Sequence, residues 1–91
     1  MAYGYVYMLR CKDNSLYTGW CKDLRQRIKK HNLGKGAKYT RAKRPCKLVF
    51  YKEIENMSEA LKLEIKIKKL SKKDKENLVR NFDKKLLGPF K

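Results

Sequence analysis

The sequence predicts a small single-domain α/β fold: a three-stranded sheet, made of an N-terminal antiparallel hairpin plus a third strand, flanked by three helices. Three observations lead there. The chain has 91 residues, enough for one core and no second module. Two short apolar runs near the N-terminus are parted by a polar turn, and a third follows a helical stretch. From Ser58 onward the pattern is helical, with a capping residue at each of two starts.

The elements follow in order. Tyr3 to Cys11 is almost continuously apolar and aromatic, which fits a strand covered on both faces. Lys12, Asp13, Asn14 and Ser15 read as a turn, and Leu16 to Trp20 as the returning strand of a hairpin. Asp23 caps a helix that keeps Leu24 and Ile28 in register and stops at Gly34 and Gly36. A basic loop follows, with Lys35, Lys38, Arg41, Lys43 and Arg44 interrupted by Tyr39 and closed by Pro45. Lys47 to Ile54 is the third strand, apolar on both sides through Leu48, Val49, Phe50 and Tyr51. Ser58 opens the second helix, to about Leu70. Ser71, with Asp74 three residues on, opens the third, to about Phe82. The folded domain is thus expected over residues 1–82, with 83–91 a flexible basic tail frayed around Gly88 and Pro89.

Charge narrows the partner. Lys and Arg total 25 against 9 Asp and Glu, a net +16, far more than solubility requires. Such an excess calls for a polyanion, and nucleic acid comes first because each neutralised phosphate releases condensed counterions. A membrane is disfavoured. No stretch reaches the roughly 20 apolar residues a span needs, and no basic segment followed by an apolar run stands at the N-terminus, so a cytoplasmic location is expected. Cys11, Cys21 and Cys46 are odd in number and lack Cys-x-x-Cys spacing, which argues against a disulfide framework. It also argues against a zinc site completed by His31, and the three thiols read as small buried hydrophobes.

Polar residues placed on apolar faces are the informative ones. At about 100° per residue, Leu24, Arg27, Ile28 and His31 share one side of the first helix, so Arg27 and His31 are expected to look toward the sheet and be partly buried. On the second helix Met57, Ala60, Leu61, Leu63, Ile65 and Ile67 form a broad apolar arc with Glu64 near its centre. A carboxylate there needs a cation, donors or a metal beside it. Two readings stand: an ion pair with Arg27 or Lys68, or a ligand for Mg²⁺, which accepts one protein oxygen when phosphate and water complete its shell. Of the six tyrosines, Tyr7 and Tyr17 flank the hairpin. They share a face only if the connecting loop has an odd number of residues, so a loop of three or more, odd in length, or a bulge is expected.

With these residues in place, the chain resembles the GIY-YIG nuclease superfamily, in particular its short stand-alone members, from about Tyr5 to Leu70. Tyr5-Val6-Tyr7 stands where the family has Gly-Ile-Tyr, and Tyr17-Thr18-Gly19 where it has Tyr-Ile-Gly. Arg27 follows Tyr17 by ten positions, as the family's arginine does. His31-Asn32 is similar to the Arg-x-x-x-His-Asn segment of junction-resolving members, and Glu64 resembles the metal-binding glutamate of the family's long helix. Trp20 stands where excision-repair incision enzymes carry a lysine.

The resemblance implies metal-dependent hydrolysis of DNA phosphodiesters, with a link to DNA repair. Glu64 is expected to hold one Mg²⁺ or Mn²⁺ ion. Arg27 is expected to stabilise the transition state through two phosphate oxygens. Tyr17 is the expected general base, with Tyr7 orienting the water or sharing its proton and His31 an alternative base or phosphate donor. Lys35, Lys38, Arg41, Lys43 and Arg44 are expected to track the phosphate backbone while Tyr39 stacks on a base, giving affinity with little sequence preference. Selection then falls to DNA shape, branched or single-stranded, or to a protein partner. Two other readings fit the charge: a basic nucleic-acid-binding module on the same fold that does not cut, and a ribosome- or nucleoid-associated protein.

Overall fold

The centre of the sheet is the strand β1 (Gly4–Arg10), with β2 (Leu16–Cys21) on one side and β3 (Lys47–Ile54) on the other, both antiparallel to it. The computed structural model describes residues 2–90 and adds four helices: α1 (Leu24–Asn32), α2 (Lys38–Arg41), α3 (Met57–Lys68) and α4 (Lys72–Asn81). A 3₁₀ segment over Lys84–Phe90 closes the described chain. The predicted fold class stands. The basic segment, expected as a loop, contains the short helix α2.

A five-residue loop, Cys11 to Ser15, joins β1 to β2. It is odd in length, and the Cys11 amide donates to Ser15 O at 2.9 Å, so Leu9 pairs with Tyr17 and Tyr7 with Gly19. Tyr7 and Tyr17 therefore share a face. Asn14 takes the left-handed turn conformation at φ 71°, which asparagine tolerates better than most residues. β3 carries a bulge at Val49, between the Met8–Phe50 and Leu9–Leu48 pairs. The extra residue lets Leu48 and Tyr51 both pack on one face while Val49 and Phe50 pack on the other.

Each face has its own cover. On the first, Tyr7, Leu9, Cys11, Cys21, Cys46 and Leu48 pack with Leu24 and Ile28 of α1. On the second, Val6, Met8 and Ile54 pack with Ala60, Leu63 and Ile67 of α3 and with Leu78 and Val79 of α4. All three cysteines are free and buried, as expected of small apolar residues, with Cys11 and Cys46 sulfurs 3.5 Å apart.

Caps fix the helix starts. Asp23 accepts from the Gln26 amide and Ser71 from the Asp74 amide. The second long helix starts one residue before Ser58 because Asn56, not Ser58, is its cap and accepts from the Glu59 amide. Its predicted apolar arc is only half covered: Ala60 and Ile67 are buried, whereas Met57, Leu61 and Ile65 are exposed. A three-stranded sheet is narrow, and the part of the arc that does not meet it faces water. The expected frayed tail is instead docked over residues 84–90. Leu87 and Phe90 pack on the first face, Arg25 donates to Pro89 O, and Tyr51 donates to Leu86 O. Met1 and Lys91 lie outside the described residues.

Candidate active site

Tyr7 on the central strand, Tyr17 on the edge strand and His31 in the last turn of α1 meet on one face of the sheet. The ring centroids of His31 lie 6.0 Å from Tyr7 and 5.3 Å from Tyr17, and those of the two tyrosines are 6.4 Å apart. The Tyr7 hydroxyl is 2.9 Å from His31 Nε2, and His31 Nδ1 is 2.6 Å from Thr40 Oγ1. Tyr7, His31 and Thr40 are all essentially inaccessible to solvent. Burial pushes the Tyr7 phenol well above the usual tyrosine range, with Tyr17 and Cys21 adding to the rise and Arg27 opposing it. Burial, and after it the charge of Arg27, lowers His31 from 6.5, so the imidazole is neutral at pH 7.

Two glycines make room for these rings. A Cβ on Gly19 would stand 2.8 Å from the Tyr7 hydroxyl, so the glycine of Tyr17-Thr18-Gly19 is the floor under the other motif's phenol. A Cβ on Gly36 would overlap the His31 imidazole. Asn32 explains the other half of the His-Asn pair. It donates to Cys46 O at 3.0 Å and accepts from the Cys46 amide at 2.7 Å, clamping the end of α1 to the start of β3.

Arg27 departs from expectation. It is exposed and not partly buried, but it keeps the expected direction, with its guanidinium beside the Tyr7 hydroxyl. It lines an open cleft of about 510 Å³ formed by the end of β2 (Trp20, Cys21), the linking Lys22 and Asp23, and one side of α1 (Gln26, Arg27, Lys30). Its charge still acts on Tyr7, Cys21 and His31, and burial outweighs it in raising the Cys21 thiol to about 11. The cleft is cationic: Lys22 and Lys30 join Arg27, and Asp23 spends one carboxylate oxygen on its cap. Trp20, at the lysine position of the incision enzymes, stacks on Tyr3 at 6.3 Å.

Glu64 lies on α3, at the boundary between the buried Ala60 and Ile67 and the exposed half of the arc, and its side chain is 18% exposed. Lys68, one turn on, approaches it at 3.4 Å. An i, i+4 pair whose lysine is half exposed holds a carboxylate weakly. α3 packs on the second face, against β2 and β1, whereas the tyrosines and His31 lie on the first. Among the described residues no group of three or more His, Cys, Asp or Glu side chains is placed to hold a metal ion.

The basic segment is divided. Lys35, Lys38, Arg41 and Arg44 are exposed. Lys43 instead bridges Asp13 at 3.0 Å and sits 3.9 Å above the Tyr39 ring. Tyr39 itself stacks on Tyr17, with centroids 5.7 Å apart, so α2 covers that motif tyrosine. Sequence reasoning missed Thr40, the steric roles of Gly19 and Gly36, and the cleft lysines. Thr40 gives no periodic signal in a four-residue helix. The cleft lysines become neighbours only when the end of β2 turns into α1.

A family model described as the GIY-YIG catalytic domain matches residues 3–77. A UPF0213 protein of Clostridium perfringens is 55% identical over 75 residues, 82% of this chain and 81% of its own length. One from Staphylococcus saprophyticus is 51% identical over 75 residues, 82% of this chain and 92% of its own. The solution NMR structure of a UPF0213 protein from Bacillus halodurans is 49% identical, covers 85% of this chain and 82% of its own, and superposes with a TM-score of 0.56. That of a protein from E. faecalis is 38% identical, with 90% and 91% covered and a TM-score of 0.60.

Proposed function

Because the chain belongs to the GIY-YIG family, whose catalytic domain is of nuclease type, we propose that it is a metal-dependent endonuclease that hydrolyses phosphodiester bonds in DNA. The observation that carries this is the convergence of Tyr7, Tyr17 and His31 beside a cleft lined by Arg27, Lys22 and Lys30. Hydrolysis brings a hydroxide-like nucleophile to an anion and then builds more charge on the phosphoryl oxygens, so the site must supply positive charge and take a proton. Arg27 supplies a planar cation that engages two phosphate oxygens, and the two lysines hold the strand in the cleft. Tyr17, whose hydroxyl has no hydrogen-bond partner among the described residues, takes the proton of the attacking water as general base. Tyr7, held by His31, orients that water.

Glu64 fits a hard divalent ion. Its carboxylate receives no hydrogen bond among the described residues, reaches solvent, and has one loosely held lysine beside it. Mg²⁺ and Mn²⁺ suit a single carboxylate with water and phosphate oxygens. Glu64 would hold one such ion, which would supply positive charge to offset the charge developing at the phosphate. Lys35, Lys38, Arg41 and Arg44 follow the backbone of the bound DNA, so that structure or a protein partner, not base sequence, selects the site of cutting. The Glu64–Lys68 pair favours one alternative, a module on the same fold that binds nucleic acid without cutting.

The two separate in a cleavage assay on junctions, flaps and linear duplex in Mg²⁺, Mn²⁺ or chelator, with binding measured in parallel. The nuclease predicts cutting by wild type in either metal, and lost cutting with kept binding for Glu64→Ala and Tyr17→Phe. Wild-type protein that binds every substrate and cuts none identifies the binding module.

A further inference from the structure

Trp20 is the chain's single tryptophan, and the core accounts for only part of its surface. It stands on β2, at the edge of the sheet, where its cross-strand partner Val6 is fully buried and Trp20 itself is half-buried. Its indole lies at 21° to the Tyr3 ring, with 6.3 Å between centroids, and Lys22 Nζ lies 4.9 Å from the centre of that ring. Trp20 thus rests on Tyr3 and on the core of the second face, and it lines the cleft beside Arg27, Lys22 and Lys30. A cleft for phosphate alone has no use for an aromatic wall. Cations answer the charge of a strand, whereas a flat π-face answers a base, whatever its identity. At about 510 Å³ the cleft falls within the range of about 300–1,000 Å³ that encloses small molecules, so it has room for a base as well as its phosphate.

We propose that Trp20 is a base-stacking residue: the cleft takes one nucleotide, with its phosphate on Arg27, Lys22 and Lys30 and its base against the indole. The stack rests on the phosphate site proposed above and defines its substrate class, DNA with an unpaired base beside the bound phosphate. Inside a duplex each base is covered above and below by its neighbours, so none has a face to offer a side chain on a sheet edge. An unpaired base at a flap, a junction or a single strand has one. Phosphate contacts at Lys35, Lys38, Arg41 and Arg44 serve duplex and single strand alike, which leaves Trp20 to tell them apart. Every base presents a π-face, so selection by structure needs no contact to a base edge.

A single tryptophan makes its own emission the probe. Trp20 fluorescence is titrated in chelator and at fixed salt with a single-stranded oligonucleotide, the same strand built of abasic residues, and a long duplex. Affinities of wild type, Trp20→Phe and Trp20→Leu are measured by anisotropy of labelled DNA, with thermal melts to confirm folding. The single strand should quench Trp20 as it saturates. The abasic strand, bound by its phosphates alone, should bind more weakly and leave the emission unchanged at saturation. Trp20→Leu, apolar but without a π-face, should lose about 5- to 100-fold in affinity for the single strand and stay within about twofold of wild type on duplex, whereas Trp20→Phe keeps most of the wild-type affinity. A single strand that binds without quenching, or equal quenching by the abasic strand, overturns the proposal. So does a folded Trp20→Leu with wild-type affinity for the single strand. If Trp20→Leu does not fold, the wild-type titrations decide by the same two criteria. Failure of all three DNAs to bind refutes the stack and the phosphate site together. Quenching by the single strand but not the abasic one, in a protein that cuts nothing in Mg²⁺, upholds the stack and refutes the nuclease.

Discussion

Gly36 carries more of this site than its place after a helix suggests. An added methyl must displace the His31 ring, and with it the contacts to Tyr7 and Thr40. Gly36→Ala should cost about 1–3 kcal/mol in urea unfolding; an unchanged midpoint would show that the ring moves aside freely. His31 also gives stability a pH signature. The fold lowers its pKa below 6.5, so on acidification the unfolded chain takes up a proton before the folded one does. Stability should therefore fall as pH drops below about 6.5, levelling once folded His31 protonates. The carboxylates that the fold perturbs, Asp13 and Glu76, start from 3.8 and 4.5 and are lowered, so they act in a more acid window. Urea midpoints between pH 8 and 5.5 should slope for wild type and flatten for His31→Gln; equal slopes contradict the assignment. The helical wheel made the burial of His31 legible in the sequence, but not the exposure of Arg27. Periodicity reports which side a residue occupies, and a long cation at the flank of a short helix can turn out to water.

Elements were more legible than their contacts. For Tyr7 and Tyr17 to share a face, parity required an odd hairpin loop or a bulge, and a loop of five residues puts them together. The bulge at Val49 was not legible, because four apolar residues in succession fit either a strand covered on both faces or a strand with one residue too many. Nor was the seating of α4. Arg10 on β1 donates through both terminal nitrogens to Glu76 at 2.6 Å, with both side chains about one-quarter exposed. This fork joins residues 66 positions apart, and no local pattern announces it. Glu76→Ala should lower stability by roughly 1 kcal/mol and speed amide exchange within α4 more than elsewhere. Uniform exchange across all helices would mean that the pair does not anchor α4. The tail looked frayed because Gly88 and Pro89 are poor helix formers, yet Leu87 and Phe90 find apolar cover beside Tyr51 and Ile28.

At the scale of the molecule, +16 on 91 residues predicts that phosphate contact dominates the affinity of the proposed DNA complex. Log Kd against log salt should be steep, and Lys35→Ala, Lys38→Ala, Arg41→Ala or Arg44→Ala should each reduce the slope by about 1. Lys43→Ala should reduce it less, since Asp13 already neutralises that ammonium. Equal effects at all five positions would show that the Asp13 pair opens when DNA binds. Charge was the plainest signal in the sequence, yet it speaks only for binding. The proposed cutting requires that Glu64, reaching the sheet from the second face, serve the same phosphate as Arg27, Tyr17 and Tyr7 on the first. The most direct measurement is the single-turnover cleavage rate of saturated protein–DNA complex in Mg²⁺ for wild type and Glu64→Gln. The account predicts a loss of about 100- to 1,000-fold with DNA affinity within about threefold of wild type; equal rates in the two proteins would contradict it.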